Sequence, residues 1–151
     1  MLINFGKHSG KSVERLVLKH PKYALWLINQ CPQTDGFARL VQEVERLVTR
    51  FDDLPIVVCC SEKACGASAT SGTLHHGCTT PVWWCEACDP LAVPRPPTKL
   101  VRAGSYLGTC SFAAEYCNGR EADLARLIKE LAQAKGLPKR ALETDLLAFF
   151  T

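Results

Sequence analysis

No apolar run in this 151-residue chain approaches the roughly 18 to 20 residues needed to cross a bilayer, so no membrane helix and no membrane partner are expected. The opening segment MLINFGKHSG lacks the apolar centre of a secretory signal, and the expected location is the cytoplasm. The sequence holds no acidic cluster and no recognisable set of nucleophile, base and orienting group, so it is expected not to be an enzyme. It has no internal repeat. Its composition, 47% hydrophobic, 22% charged and 8% aromatic, excludes a disordered chain. The length suffices for one domain or two very small ones.

Cysteine is what the chain has in excess. There are nine, an odd number that rules out complete disulfide pairing within one chain. Clustered thiols in a reducing compartment more often bind metal than pair. Cys31 stands alone in the first third, and the other eight fall between Cys59 and Cys117.

Periodicity and punctuation give a helical plan at both ends. GKHSGK, with two glycines, reads as a tight turn after a short extended start. Ser12 can cap a helix over SVERLVLKH, and Pro21 can open a second with Tyr23, Trp26, Leu27 and Cys31 on one apolar face. Phe37, Leu40, Val41, Val44, Leu47 and Val48 recur at three- and four-residue steps behind Thr34 and predict a third helix. IVVCC and Val82 to Trp84 read as short β-like runs separated by Gly-, Ser- and Thr-rich sequence. The four prolines of DPLAVPRPPTK predict an extended linker. Asn118 and Glu121 fit a capping pair for a helix with Leu124, Leu127, Ile128 and Leu131 on one face, ended by Gly136. Pro138 then opens a last helix with Leu142, Leu146, Leu147 and Phe150.

The expected fold is α+β, a small helical protein with a β-hairpin and zinc-knuckle insert like a zinc ribbon. Residues 1–54 hold the glycine turn and helices, 55–90 the insert, 91–105 a basic proline-rich linker, and 106–151 a helical segment packed on the rest.

The chemistry concentrates in the insert. Cys60-x4-Cys65-Gly and Cys85-x2-Cys88 are close thiol pairs about twenty residues apart, each ending a β-like run. Two such knuckles bring four sulfurs to the corners of a tetrahedron, the geometry of a structural zinc site. Glycine after Cys65 allows the knuckle its turn, and Trp83 and Trp84 can shield the site. One Zn2+ is expected, held by Cys60, Cys65, Cys85 and Cys88. Cys59, His75, His76 or Cys78 can substitute for one ligand, iron–sulfur ligation needs the same residue type, and buried free thiols are the non-metal alternative. Cys110-x6-Cys117 with Cys59 or Cys78 is a weaker second set, read first as core thiols. Four thiolates close the metal shell and leave no position for an activated water.

The N-terminus carries a second signal. Phe5, Gly6, Lys7, His8, Gly10 and Lys11, followed by Pro21, Tyr23, Trp26 and Leu27 in a P-x-Y-x-x-W-L ending, resemble the FGKxxGK module at the C-terminus of exodeoxyribonuclease X-type proteins. The match covers about the first thirty residues. The resemblance implies an accessory domain of nucleic-acid enzymes with no catalytic residues to carry over. From the residues themselves, two glycines bring backbone close to a ligand while Lys7, His8 and Lys11 supply positive charge suited to phosphate.

A net charge of +3 and a pI near 8.4 tolerate a polyanion without requiring one. Arg95, Lys99 and Arg102 lie in a stretch without acidic residues, Leu91 to Gly104, which can track a nucleic-acid backbone. The expected function is therefore a non-catalytic zinc protein that binds nucleic acid, DNA ahead of RNA, or serves as a subunit of a nucleoprotein complex. A protein-interaction adaptor of a phage or mobile element is second, and a metal-dependent nuclease third.

Overall fold

The computed structural model describes residues 1–30 and 34–151, so Cys31 and its place on the second helix lie outside the described residues. Among the described residues the chain is α+β, with six α-helices and one three-stranded antiparallel sheet.

The first dozen residues fold back on themselves. Leu2 bridges Ser12, the Ile3 N–H donates to the Lys11 carbonyl at 3.0 Å, and a single 3₁₀ turn, Gly6–His8, forms the tip. Helix α1 (Val13–Lys19) starts where Ser12 Oγ accepts the Arg15 N–H. Pro21 opens α2 (Pro21–Ile28), and Thr34 caps α3 (Asp35–Asp53) by accepting the Phe37 N–H. The apolar spacing of α3 buries Leu40, Val41, Val44, Leu47, Val48 and Phe51 on one face.

Proline at the start of α2 has a cost that the fold offsets from far along the chain. Pro21 has no N–H, so the Val17 carbonyl four residues earlier has no helical donor. The hydroxyl of Tyr106, a fully buried residue, donates to that carbonyl at 2.6 Å. Tyr106 begins α4 (Tyr106–Tyr116), where its own N–H donates to Asp52 Oδ1 at 2.7 Å. Asp52 is thus a tie between α3 and α4 as well as a polar helix end. Tyr106→Phe should leave the Val17 carbonyl unsatisfied and cost about 1 to 3 kcal/mol. The check is a lower urea midpoint at unchanged m-value.

Helix α4 has no single apolar face, and nothing in its pattern marks it individually. Ser105 caps it through the Gly108 N–H, and tertiary contact buries Tyr106, Thr109, Cys110, Phe112 and Ala113. Helix α5 (Glu121–Ala134) buries Leu124, Leu127, Ile128 and Leu131 as their spacing predicts. Its N-cap is Arg120, without a side-chain bond, so the expected cap by Asn118 is corrected. Helix α6 (Glu143–Phe149) starts beyond Pro138: Leu142 is its N-cap, with its N–H on Asp145 Oδ2 at 2.7 Å, and its side chain is exposed.

The sheet runs in the order β2-β1-β3, with β1 Ser71–His75, β2 Val82–Trp84 and β3 Leu100–Ala103. In register, Gly72 faces Trp83 and Ala103, and Thr73 faces Val82 and Arg102. Three expectations change here. The central strand lies in the Gly-, Ser- and Thr-rich stretch that reads as loop. An edge strand lies within the segment 91–105 read as linker, just past its prolines. IVVCC supplies only the isolated bridge Cys59–Ser68. A glycine in the middle of β1 has a packing reason. A Cβ on Gly72 would stand 2.5 Å from Trp83 Cζ3, so only glycine lets the indole lie on the strand. Leu74 of the same strand belongs to the hydrophobic core that it shares with helical residues, and this joins the sheet to the helices.

Candidate metal centre

The two cysteine pairs meet at one end of the sheet. Cys85 follows β2 directly, and Cys88 turns back over it with its N–H 3.3 Å from the Cys85 carbonyl. The first pair sits on a turn closed by the Cys60 N–H on the Ala67 carbonyl at 2.8 Å. Ala64 and Gly66 of that turn, at φ 62° and 68°, take left-handed backbone. Glycine adopts it freely and alanine at a cost of about 1 to 2 kcal/mol, and these two residues bend the x4 spacing into a knuckle. Ser61 docks the knuckle onto β2: its N–H donates to the Trp83 carbonyl at 2.7 Å, and its Oγ accepts the Trp83 N–H at 3.1 Å.

The ligand atoms of Cys60, Cys65, Cys85 and Cys88 all lie within 4.8 Å of one another, and together they can hold a metal ion. Cys65 Sγ is 3.7 Å from Cys85 Sγ and 3.8 Å from Cys88 Sγ. A tetrahedral ion with metal–sulfur bonds of about 2.3 Å places its sulfurs roughly 3.8 Å apart. Backbone N–H groups of Cys88 and Ala87 point at Cys85 Sγ, and that of Ala67 at Cys65 Sγ. Such donors stabilise thiolate charge. With the Cys88 N–H leading and the Cys88 thiol adding to it, the Cys85 thiol is lowered to about 7, whereas Cys88, donating to Cys85 and Cys65, is raised to about 12.

Among the described residues, the remaining cysteines and histidines lie outside this group. Cys59 and Cys78 are exposed rather than core thiols, and Cys110 is buried, as a core thiol should be. Cys117 is half-buried, its thiol 3.7 Å from the Cys78 carbonyl. His76 stacks on Tyr116 at 3.6 Å between ring centroids, and His75 Nδ1 lies against the His76 carbonyl. The tryptophans are committed to the sheet: Trp83 covers Gly72, and Trp84 Nε1 donates to Thr73 Oγ1 at 2.9 Å. It is the Trp83 backbone, gripped by Ser61, that serves the cysteine cluster.

Of the basic residues singled out by sequence, Lys7 is exposed, with its Nζ 5.1 Å from the Tyr23 ring centroid. Lys11 lies with its Nζ 3.4 Å from His8 Nδ1. His8 itself is only 4% exposed and packs in tilted contact with His20 and Tyr23, each at 4.5 Å between ring centroids. Burial, and then the neighbouring His20, Lys11 and Lys7, push its pKa below 6.5. This shift disfavours the charged imidazolium that a phosphate contact would need. Because folding lowers this pKa, the unfolded chain binds more protons as pH falls below 6.5, and stability drops there. Denaturant titrations across that range should show a shallower loss for His8→Gln than for the wild type. Arg95 and Lys99 are exposed, but Arg102 pairs with Asp89 at 2.8 Å and ties β3 to the residue after Cys88.

Sequence reading passed over two surface features. Trp26, expected on an apolar face, is 47% exposed and stacks on Tyr23 at 5.2 Å. Lys19, Arg126, Lys129, Lys139 and Arg140 line one cleft although three separate segments supply them. Among the described residues no helix is long and apolar enough to cross a membrane. Comparison with family models, curated proteins and solved structures finds no match to this chain.

Proposed function

We propose that the chain is a non-catalytic, cytoplasmic nucleic-acid-binding protein, or an accessory subunit of a nucleoprotein complex, organised by one structural zinc ion. The observation that carries this reading is the four-sulfur group of Cys60, Cys65, Cys85 and Cys88, all within 4.8 Å. An all-thiolate tetrahedral set with N–H donors behind its sulfurs suits zinc, and four thiolates fill the shell and leave no open position for substrate or activated water. Such a centre serves to hold a surface in shape.

Nucleic acid is proposed as the partner because the N-terminal turn presents Lys7 and Lys11 on glycine-rich backbone and resembles the FGKxxGK accessory module. That module's association with exodeoxyribonucleases places DNA ahead of RNA. Phosphate contacts add counterion release, which makes affinity fall with salt. If Lys7 and Lys11 each meet a phosphate, the double variant Lys7→Ala with Lys11→Ala should flatten the slope of log affinity against log salt by roughly 1.4 to 1.8. Fluorescence anisotropy with mixed-sequence DNA over a series of salt concentrations reads this directly. Absence of binding at low salt would turn the assignment to a protein-interaction adaptor.

A further inference from the structure

We propose that a single-stranded nucleic acid follows a path from the stacked pair Tyr23–Trp26 into the cleft between α1, α5 and residues 137–141. This assignment rests on the nucleic-acid reading above and gives it a site and a strand type. The cleft measures about 560 Å³, and Lys19, Arg126, Lys129, Lys139 and Arg140 line it against the single acid Glu130. Its floor is apolar, with Leu18, Leu137 and Leu146. None of the five cations forms an ion pair among the described residues, whereas Arg102 in the proline-rich segment is paired with Asp89. Unpaired cations gathered over an apolar floor raise the local potential for a polyanion.

A second concavity of about 420 Å³ is lined by Lys7, Lys22, Tyr23, Trp26 and Glu121. The two concavities share no lining residue, but neighbouring positions of the chain line them. Lys19 ends α1 and Lys22 is the second residue of α2, while Glu121 and Ala122, neighbours at the start of α5, line one concavity each. Positive charge therefore continues from Lys7 and Lys22 through Lys19 to Arg126 and Lys129.

The aromatic pair decides the class of ligand. Trp26 and Tyr23 stack at an interplanar angle of 27°, with nearly half of Trp26 open to solvent. Exposed rings flanked by cations form the platform on which unpaired bases stack while the backbone follows the charge. A duplex keeps its bases inside and would leave the indole unused. An acidic peptide would satisfy the lysines and likewise have no use for the rings.

The test uses the full chain with a mixed-sequence DNA strand, the corresponding duplex and polyglutamate, each over several salt concentrations, with circular dichroism confirming that every variant is folded. The strand should bind more tightly than the duplex. Trp26→Ala should weaken strand binding about 5- to 150-fold, and Trp26→Phe should retain most of the affinity. Arg126→Ala with Lys129→Ala should lower the salt slope for the strand by about 1.4, and Arg95→Ala with Lys99→Ala should leave it unchanged. Should Trp26→Ala misfold, the Trp26→Phe protein and the two paired-cation variants carry the decision. A silent Trp26→Ala together with a slope change only in the Arg95 and Lys99 variant would overturn the path while leaving nucleic-acid binding in place. No binding to either DNA at low salt would overturn both, and capture of polyglutamate as tight as that of the strand would make the cleft a protein-docking site.

Discussion

Cys85→Ser is expected to abolish metal binding and unfold the segment from Val58 to Asp89 while the helices stay folded. That segment has few means of holding itself. Its buried side chains are chiefly Cys60, Ala69, Thr73, Leu74, Pro81 and Cys85, and two of these six are ligands. The helical body keeps a continuous core from Leu16 through Leu47 to Leu131. Structural zinc contributes about 10 to 16 kcal/mol in small zinc modules, as much as the whole stability of an ordinary domain. Losing it should therefore remove hydrogen-exchange protection from β1 to β3 and change the emission of Trp83 and Trp84, with the far-UV helical signal largely kept. Cys59→Ser is the internal control. Cys59 adjoins a ligand but is exposed and outside the cluster, and its replacement should leave metal content and sheet protection intact.

Phe51→Ala should produce the opposite division. Its ring is fully buried at the end of α3, meets Tyr106 of α4 edge-on at 5.4 Å and Phe149 of α6 at 6.1 Å, and carries Lys135 Nζ 5.5 Å from its centroid. Lys135, just past α5, also donates to the Leu54 carbonyl, so one side chain sits where four helices are tied together. Truncating such a phenylalanine removes its transfer free energy and leaves a cavity, at a cost of about 3 to 5 kcal/mol. Thermal unfolding followed by helical circular dichroism should show it as a large fall in midpoint. A cost under about 1 kcal/mol would mean that the helices do not converge on this ring.

These two variants also mark what was legible in the sequence. Helices α3 and α5 declare themselves, because burial on one side imposes a 3.6-residue period that survives in the order of residues. Ser12, Pro21 and Thr34 mark helix starts through local hydrogen bonding, and the four clustered cysteines stand at knuckle spacing. Strand β1 was hidden for the converse reason. It is paired on both edges and pressed against an indole, so its centre requires a glycine that reads as loop. Helix α4 follows from contacts made at long range, Tyr106 to Val17 and to Asp52, which leave no local trace. The lowered pKa of His8 depends on burial beside His20 and Tyr23, and the cationic cleft on residues drawn from α1, α5 and the α5–α6 connection. Neither is a property of neighbouring residues in sequence.

Whether one zinc ion, held by Cys60, Cys65, Cys85 and Cys88, organises this protein is decided by metal analysis of the purified chain combined with hydrogen exchange. About one zinc per chain is expected, lost together with the protection of β1 to β3 on treatment with a strong chelator. A metal-free protein whose sheet amides remain fully protected would contradict it, as would stoichiometric iron in place of zinc.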